Sequence, residues 1–166
     1  MKLFMVYLGG TAPGANIEVH DIRFVVGDSI KDTYPQLRQQ WFGEAKGLHL
    51  DSYLEVHDID GYHISLVAEP VQQEQKLYFV NFGGYYPSQM AEQHEFMLCV
   101  ASSAVEAKKR AKAALLTKAQ SSHKDDLLEL DNLIQLDQLQ GYYIELQPSG
   151  ANQAQQPDWF GYEVIG

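Results

Sequence analysis

Lys2-Leu3-Phe4-Met5-Val6-Tyr7-Leu8-Gly9-Gly10 recurs 74 residues later as Lys76-Leu77-Tyr78-Phe79-Val80-Asn81-Phe82-Gly83-Gly84. Holding that offset without gaps brings Pro13 onto Pro87, Glu18 onto Glu92, His20 onto His94 and Val26 onto Val100. It also brings Ser29 onto Ser103, His49 onto His123, Asp51 onto Asp125 and Leu54-Glu55 onto Leu128-Glu129. Between 2–57 and 76–131 there are 15 identities in 56 positions. Ordinary composition gives roughly three or four by chance. After a six-residue insertion, Gly61-Tyr62-x-Ile64-x-Leu66 falls on Gly141-Tyr142-x-Ile144-x-Leu146. The fixed offset predicts a tandem duplication. The first repeat spans 1–67, a linker 68–75 and the second repeat 76–147, followed by a mobile loop at 148–157 and a C-terminal strand at 158–166.

Each repeat reads as β-β-α-β-β. The apolar run Leu3–Leu8 is strand-prone, and Gly9-Gly10 marks a turn or bulge. A strand over His20–Val26 puts Ile22, Phe24 and Val26 on one face and Asp21, Arg23 and Val25 on the other. Phe96, Leu98 and Val100 repeat the first face, and Met97 and Cys99 the second. Ser29-x-x-Asp32 and Ser103-x-x-Glu106 are helix-start signals of capping-box form. Ile30, Tyr34, Leu37 and Trp41 share one helical face, interrupted by Pro35. The second helix is expected over about 103–119. A hairpin closes the unit, with Ser52–His57 and Tyr62–Val67 flanking Asp60-Gly61. In the second repeat Leu127–Leu136 and Tyr142–Leu146 flank a longer connection. The buried set is expected to include Ile22, Phe24, Val26, Leu37, Trp41, Phe96, Leu98, Val100 and Leu115. The fold class is thus α+β: a duplicated β-β-α-β-β unit forming a pseudo-twofold pseudo-dimer, with an extra C-terminal strand. Trp159, Phe160, Tyr162, Val164 and Ile165 make that tail too apolar to dangle.

Composition narrows the function. The chain has 166 residues, 45% of them hydrophobic and 20% charged, which is a globular balance. The net charge of −10 opposes nucleic-acid binding. The six basic residues Lys108, Lys109, Arg110, Lys112, Lys118 and Lys124 cluster in one stretch and read as a solvated helix face, or as a docking surface for an acidic patch on another copy of the chain. A homo-oligomer is therefore a possible partner state, and the small-molecule ligand is unknown. No apolar run is long enough to span a membrane. The single cysteine, Cys99, excludes an internal disulfide and a Cys-based zinc finger. Met1–Ala15 is read as a strand and not a leader, because its copy sits in mid-chain. Together with the lone thiol, this places the protein in the cytoplasm.

Leu8-Gly9-Gly10, Asn16-Ile17-Glu18-Val19-His20-Asp21, Phe24-Val25-Val26, Asp32-Thr33-Tyr34-Pro35-Gln36-Leu37-Arg38 and Trp41-Phe42-Gly43 resemble a small bacterial family, domain of unknown function 1543. The second copy lacks the Asn-Ile, Tyr-Pro and Trp-Phe-Gly elements. The resemblance implies one or two copies of the domain per chain. It brings no activity, cofactor or catalytic residue.

Candidate chemistry lies in histidine–carboxylate pairs: Glu18/His20, Glu92/His94, His49/Asp51 and His123/Asp125, each at i, i+2. On a strand these share a face, so an acid can orient an imidazole or share a metal with it. Two such pairs meeting on a pseudo-twofold axis would form a 2-His-2-carboxylate site suited to zinc or iron. The competing reading is structural histidines that bond the Gly-Gly segment. No phosphate-loop, nucleophile-elbow or Cys–His signature is present. The sequence reading is a non-catalytic ligand-binding or protein-interaction module. Its alternative is an enzyme or metal-binding protein that uses the His/carboxylate pairs.

Overall fold

Lys2–Gly10 forms β1, the strand around which the first half is organised. The computed structural model describes residues 1–85, 89–115, 121–122 and 133–166. β1 pairs antiparallel on one side with β2 (Val19–Gly27) and on the other with β3 (His49–Val56). The last strand, β12 (Trp159–Val164), adds to the free side of β3 and gives the order β12-β3-β1-β2. The second half opens in the same way. β6 (Lys76–Tyr85) pairs with β7 (Gln93–Ala101), and its other side receives β9 (Leu133–Leu136) and β8 (Ser121–Ser122) in series. The burial patterns of β2 and β7 agree position for position.

The helices follow their start signals. Asp32 accepts from both the backbone N–H and the hydroxyl of Ser29 and so caps a 3-10 turn over Ile30–Thr33. That turn runs into α1 (Tyr34–Gln40), where Pro35 sits in the first turn and costs no hydrogen bond. Glu106 caps α2 (Ala104–Ala114) one residue further back, taking the Ser102 N–H and hydroxyl, while Ser103 Oγ accepts from the Glu106 N–H.

The alternation in β2 predicts one buried face, and the structure buries both. Phe24 and Val26 enter the shared core with Leu3, Met5, Leu77, Phe79, Leu98 and Val100. Val25 is fully buried beneath α1, with Phe4, Val6, Leu8, Leu37 and Trp41. Cys99 is fully buried in the same manner beneath α2, against Ala107 and Ala111. The order of layers is α1, first sheet, shared core, β6–β7 sheet, α2. Ile22, Phe96 and Leu115 are only half-buried. The first two lie toward the end where the two sheets separate.

The closing hairpins are corrected by the structure. Asp60 and Gly61 do form a tight turn with φ of 53° and 85°, and Gln140 and Gly141 repeat it at 46° and 86°. They join two-residue strands, β4 (Asp58–Ile59) and β10 (Gln138–Leu139), to β5 (Tyr62–Val67) and β11 (Tyr142–Pro148). β3 and β9 remain with β1 and β6, because both edges of each central strand need partners. β5 and β11 pair with each other instead, so one sheet, β10-β11-β5-β4, contains strands from both halves. Of the expected strand over 127–136, residues 127–132 lie outside the described residues, as do 116–119 of the expected second helix.

Glutamine side chains finish the exposed strands. Gln36 bonds the N–H and C=O of Val26, and Gln155 those of Leu98. Gln73 bonds Leu146 N–H and Ile144 C=O. Gln153 takes the His57 and Asp58 N–H groups and donates to Glu55 C=O. Two of these four belong to the stretch expected as a mobile loop. It is largely exposed, and these amides tie it to the strands it crosses.

Two outcomes follow. Phe24 packs its ring 5.3 Å from that of Phe79 in the shared core. Phe24→Ala should lower the unfolding free energy by about 3–5 kcal/mol in a urea titration, and half-buried Phe96→Ala should cost less. Burial pushes the Cys99 thiol up to about 11, partly opposed by the Arg110 guanidinium. The native protein should therefore resist a thiol reagent at pH 8, and one thiol should react once urea unfolds it. Because the folded value lies above the unfolded one, this group's share of stability is intact below the unfolded thiol range. That share falls as pH rises from there through the folded value.

Candidate metal centre

Beside Gly9 lies the only cluster, among the described residues, where three side chains, Glu18, His20 and Asp51, each offer a metal-ligating atom at mutual distances within 4.8 Å, and His49 borders it through both carboxylates. The pairing register explains the cluster. His20 on β2 and His49 on β3 are the two cross-strand neighbours of Gly9. Glu18 lies just before β2, and Asp51 lies two residues beyond His49. The His49 imidazole and both carboxylates lean over the glycine. A Cβ built at position 9 would lie 2.5 Å from His49 Nε2, 2.8 Å from Glu18 Oε1 and 2.9 Å from Asp51 Oδ2. The reading of Gly9-Gly10 as a turn is therefore overturned. Both residues are paired strand, and Gly9 is needed for close approach of side chains from its neighbours.

The polar atoms converge. Glu18 Oε1 is 3.1 Å from His20 Nε2 and 3.1 Å from His49 Nε2. Asp51 Oδ2 lies 3.3 Å from His20 Nε2, and its Oδ1 3.4 Å from His49 Nε2. Asp51 Oδ2 is shielded from solvent and has no hydrogen-bond partner. His49 is 1% exposed, and its Nδ1 stands 2.8 Å from the Gly47 carbonyl. A proton on Nδ1 donates there, which leaves the Nε2 lone pair facing a carboxylate oxygen. Two lone pairs at that distance repel unless a proton or a cation lies between them. With neutral imidazoles the four side chains carry a formal charge of −2.

Aromatic rings hold the imidazoles. Tyr7 stacks on His20 at 5.3 Å with the planes 3° apart. Tyr162, from β12, lies over His49 at 4.0 Å. Burial, with the carboxylates of Asp51 and Asp21, holds the Tyr7 phenol above its usual range. The tail carrying Tyr162 is fixed in turn by Ile165 and Gly166 N–H groups on the Leu48 carbonyl and by Arg38 on the Ile165 carbonyl.

Among the described residues, the pairs that meet do not come from different repeats as expected. The four residues that converge, Glu18, His20, His49 and Asp51, all belong to the first half, because β2 and β3 flank the same strand. Glu92 and His94 occupy the corresponding place beside Gly83, with Glu92 Oε2 3.9 Å from His94 Nε2. The His94 Nδ1 stands 3.2 Å from the Asn81 amide. His123 and Asp125 lie outside the described residues. Spacing alone did not single out Gly9, Tyr7 or Tyr162. The recurrence of glycine and histidine at one offset was the available signal, since register pairs Gly83 with His94 as it pairs Gly9 with His20.

The fold and cluster define an α+β protein with a histidine–carboxylate constellation on a sheet face. The chain belongs to the family described as Domain of Unknown Function (DUF1543), whose model matches residues 15–66 and 89–146 as two tandem segments. Its structure is similar to the crystal structure of a protein Il1583 from Idiomarina loihiensis, with a TM-score of 0.80 and 44% identity over 99% of this chain and 98% of that one. No curated protein matches.

Gly9→Ala tests the geometry. The added methyl group must displace His49 or the carboxylates. It should shift the imidazole NMR signals of His20 and His49 and cost about 1–3 kcal/mol in stability.

Proposed function

We propose that this chain is a ligand-binding protein whose resident ligand is a divalent transition cation held by Glu18, His20, His49 and Asp51. One observation carries the reading: two imidazole nitrogens and two carboxylates converge beside Gly9, at 3.1 to 3.4 Å, and one shielded carboxylate oxygen, Asp51 Oδ2, has no hydrogen bond. Such a donor set suits zinc, iron or manganese, and the two carboxylates offset the cation's charge. The Gly47 carbonyl bonded to His49 Nδ1 is the outer partner that fixes a ligating imidazole's tautomer.

The two halves are read as copies of one β-β-α-β-β unit related by a pseudo-twofold. The shared register around Gly9/His20 and Gly83/His94 and the matching burial of β2 and β7 support this. The second copy has drifted. Arg110 stands where the first copy has Gln36, and it bonds the Val100 carbonyl and, at 2.7 Å, Asp60. Part of the basic stretch is thereby used inside the chain. A reducing cytoplasm suits the buried free thiol.

The test uses protein purified without a histidine tag, stripped by chelator and titrated calorimetrically with Zn(II), Mn(II) or Co(II). One equivalent should bind, with affinity falling on acidification because imidazole must be deprotonated to ligate. His20→Ala and Asp51→Asn should each weaken binding by roughly 100-fold or more, and His94→Ala should leave it unchanged. Absence of stoichiometric binding by the unmodified protein would falsify the proposal.

A further inference from the structure

Beyond the Phe24–Phe79 contact the two sheets part and leave a cleft. Its volume is about 420 Å³, and its walls include Tyr7, His20, Ile22, Phe79, His94 and Phe96. A neighbouring hollow of about 240 Å³ shares Tyr7, Ile22 and Phe96. His20 thus belongs both to the cation cluster and to the cleft, and His94 faces the same space from the other sheet. Tyr7 joins the two regions: its ring stacks on His20 and also on Phe96, at 6.1 Å.

Glu18 and His20 are the exposed members of the cluster, with side chains 44% and 37% accessible, while His49 is sealed. The open side of a bound cation therefore lies where His20 borders the cleft. A six-coordinate cation held by four protein donors keeps two positions for donors from outside. The cleft volume lies within the range of small-molecule sites. Its aromatic walls favour a flat ring over an aliphatic one, through stacked and edge contacts. Asp21 is neutralised by Arg23 at 2.6 Å, and the carboxylates of Glu18 and Asp51 beside the cleft oppose a polyanion such as a nucleotide.

We infer that the cleft takes a small aromatic molecule with two adjacent oxygen donors, its ring against Phe79 and Phe96 and its oxygens on the cation beside His20. This rests on the cation reading above. It assigns the protein a ligand class and gives the second repeat a role, since Phe79, His94 and Phe96 come from that half.

Mn(II)- or Co(II)-loaded protein titrated with catechol tests the inference, with cyclohexane-1,2-diol as a non-aromatic control and Phe96→Leu as the variant. Catechol should bind the loaded protein, bind the stripped protein at least tenfold more weakly, and perturb the Co(II) absorption. The cyclohexanediol should bind at least fivefold more weakly than catechol. Phe96→Leu should lose about fivefold to tenfold in catechol affinity and keep its metal titration, which also shows that the variant is folded. Stoichiometric metal binding with no catechol binding, or with equal catechol binding to Phe96→Leu, overturns this inference and leaves the cation site standing. Failure of the metal to bind overturns both.

Discussion

β1 has to satisfy two neighbours and two faces at once, and most of the molecule follows from that. Its edges pair with β2 and β3, so no backbone group along its middle is left for solvent. Leu3 and Met5 point into the core shared with the other half, and Phe4, Val6 and Leu8 point beneath α1. A strand buried on both faces reads as a continuous apolar run rather than an alternation, and Leu3–Leu8 is such a run. Hiding large side chains on both faces contributes roughly 1.5–3 kcal/mol apiece. This sets the layer order: a helix must cover one face and a second sheet the other.

The run ends where the side chains end. At Gly9 the central strand presents only backbone on the inner face, and side chains from both neighbouring strands move into the vacated volume. A side chain at this position would hold its neighbours apart. Here the gap is where the candidate site forms. The consequence is that two imidazole nitrogens and two carboxylates stand 3.1 to 3.4 Å apart, with His49 bonded to Gly47 on one side and covered by Tyr162 on the other.

The two halves have solved the same edge problem with different chemistry. Gln36 closes the Val26 edge with an amide, which supplies one donor and one acceptor in the geometry of a peptide. At the equivalent place Arg110 supplies only donors, so Val100 C=O is satisfied but Val100 N–H is not. Asp60, from the opposite half, accepts that N–H at 2.9 Å and pairs with Arg110 as well. The Val26 edge is thus closed from within its own half, and the Val100 edge by a contact between halves. Asp60 occupies a left-handed turn position at φ 53°, a conformation tolerated by a short polar side chain.

The amino-acid sequence by itself determined the α+β class, the tandem arrangement, the helix starts at Ser29 and Ser103, the tight turn at Gly61, and the candidate histidine–carboxylate pairs. Each rests on local physics: residues at i, i+2 or i, i+3, a glycine with positive φ, or an offset visible in one dimension. Four of the eight candidate site residues, Glu18, His20, His49 and Asp51, meet in the structure, and the sequence named them without knowing which would meet. That choice depends on strand order and register, and these are set by which edges and faces find partners across the whole chain. The same reason explains the errors. Asp60-Gly61 looked like the bend of a long hairpin, but β3 was already committed to β1. Gly9 looked like a turn, but β2 and β3 hold it in the sheet. Gln153 and Gln155 looked like loop residues because nothing in their neighbourhood along the chain reveals the strand edges their amides bind. Tertiary structure alone decided those matters, because backbone pairing and side-chain burial are satisfied over the entire fold and not within a window of sequence.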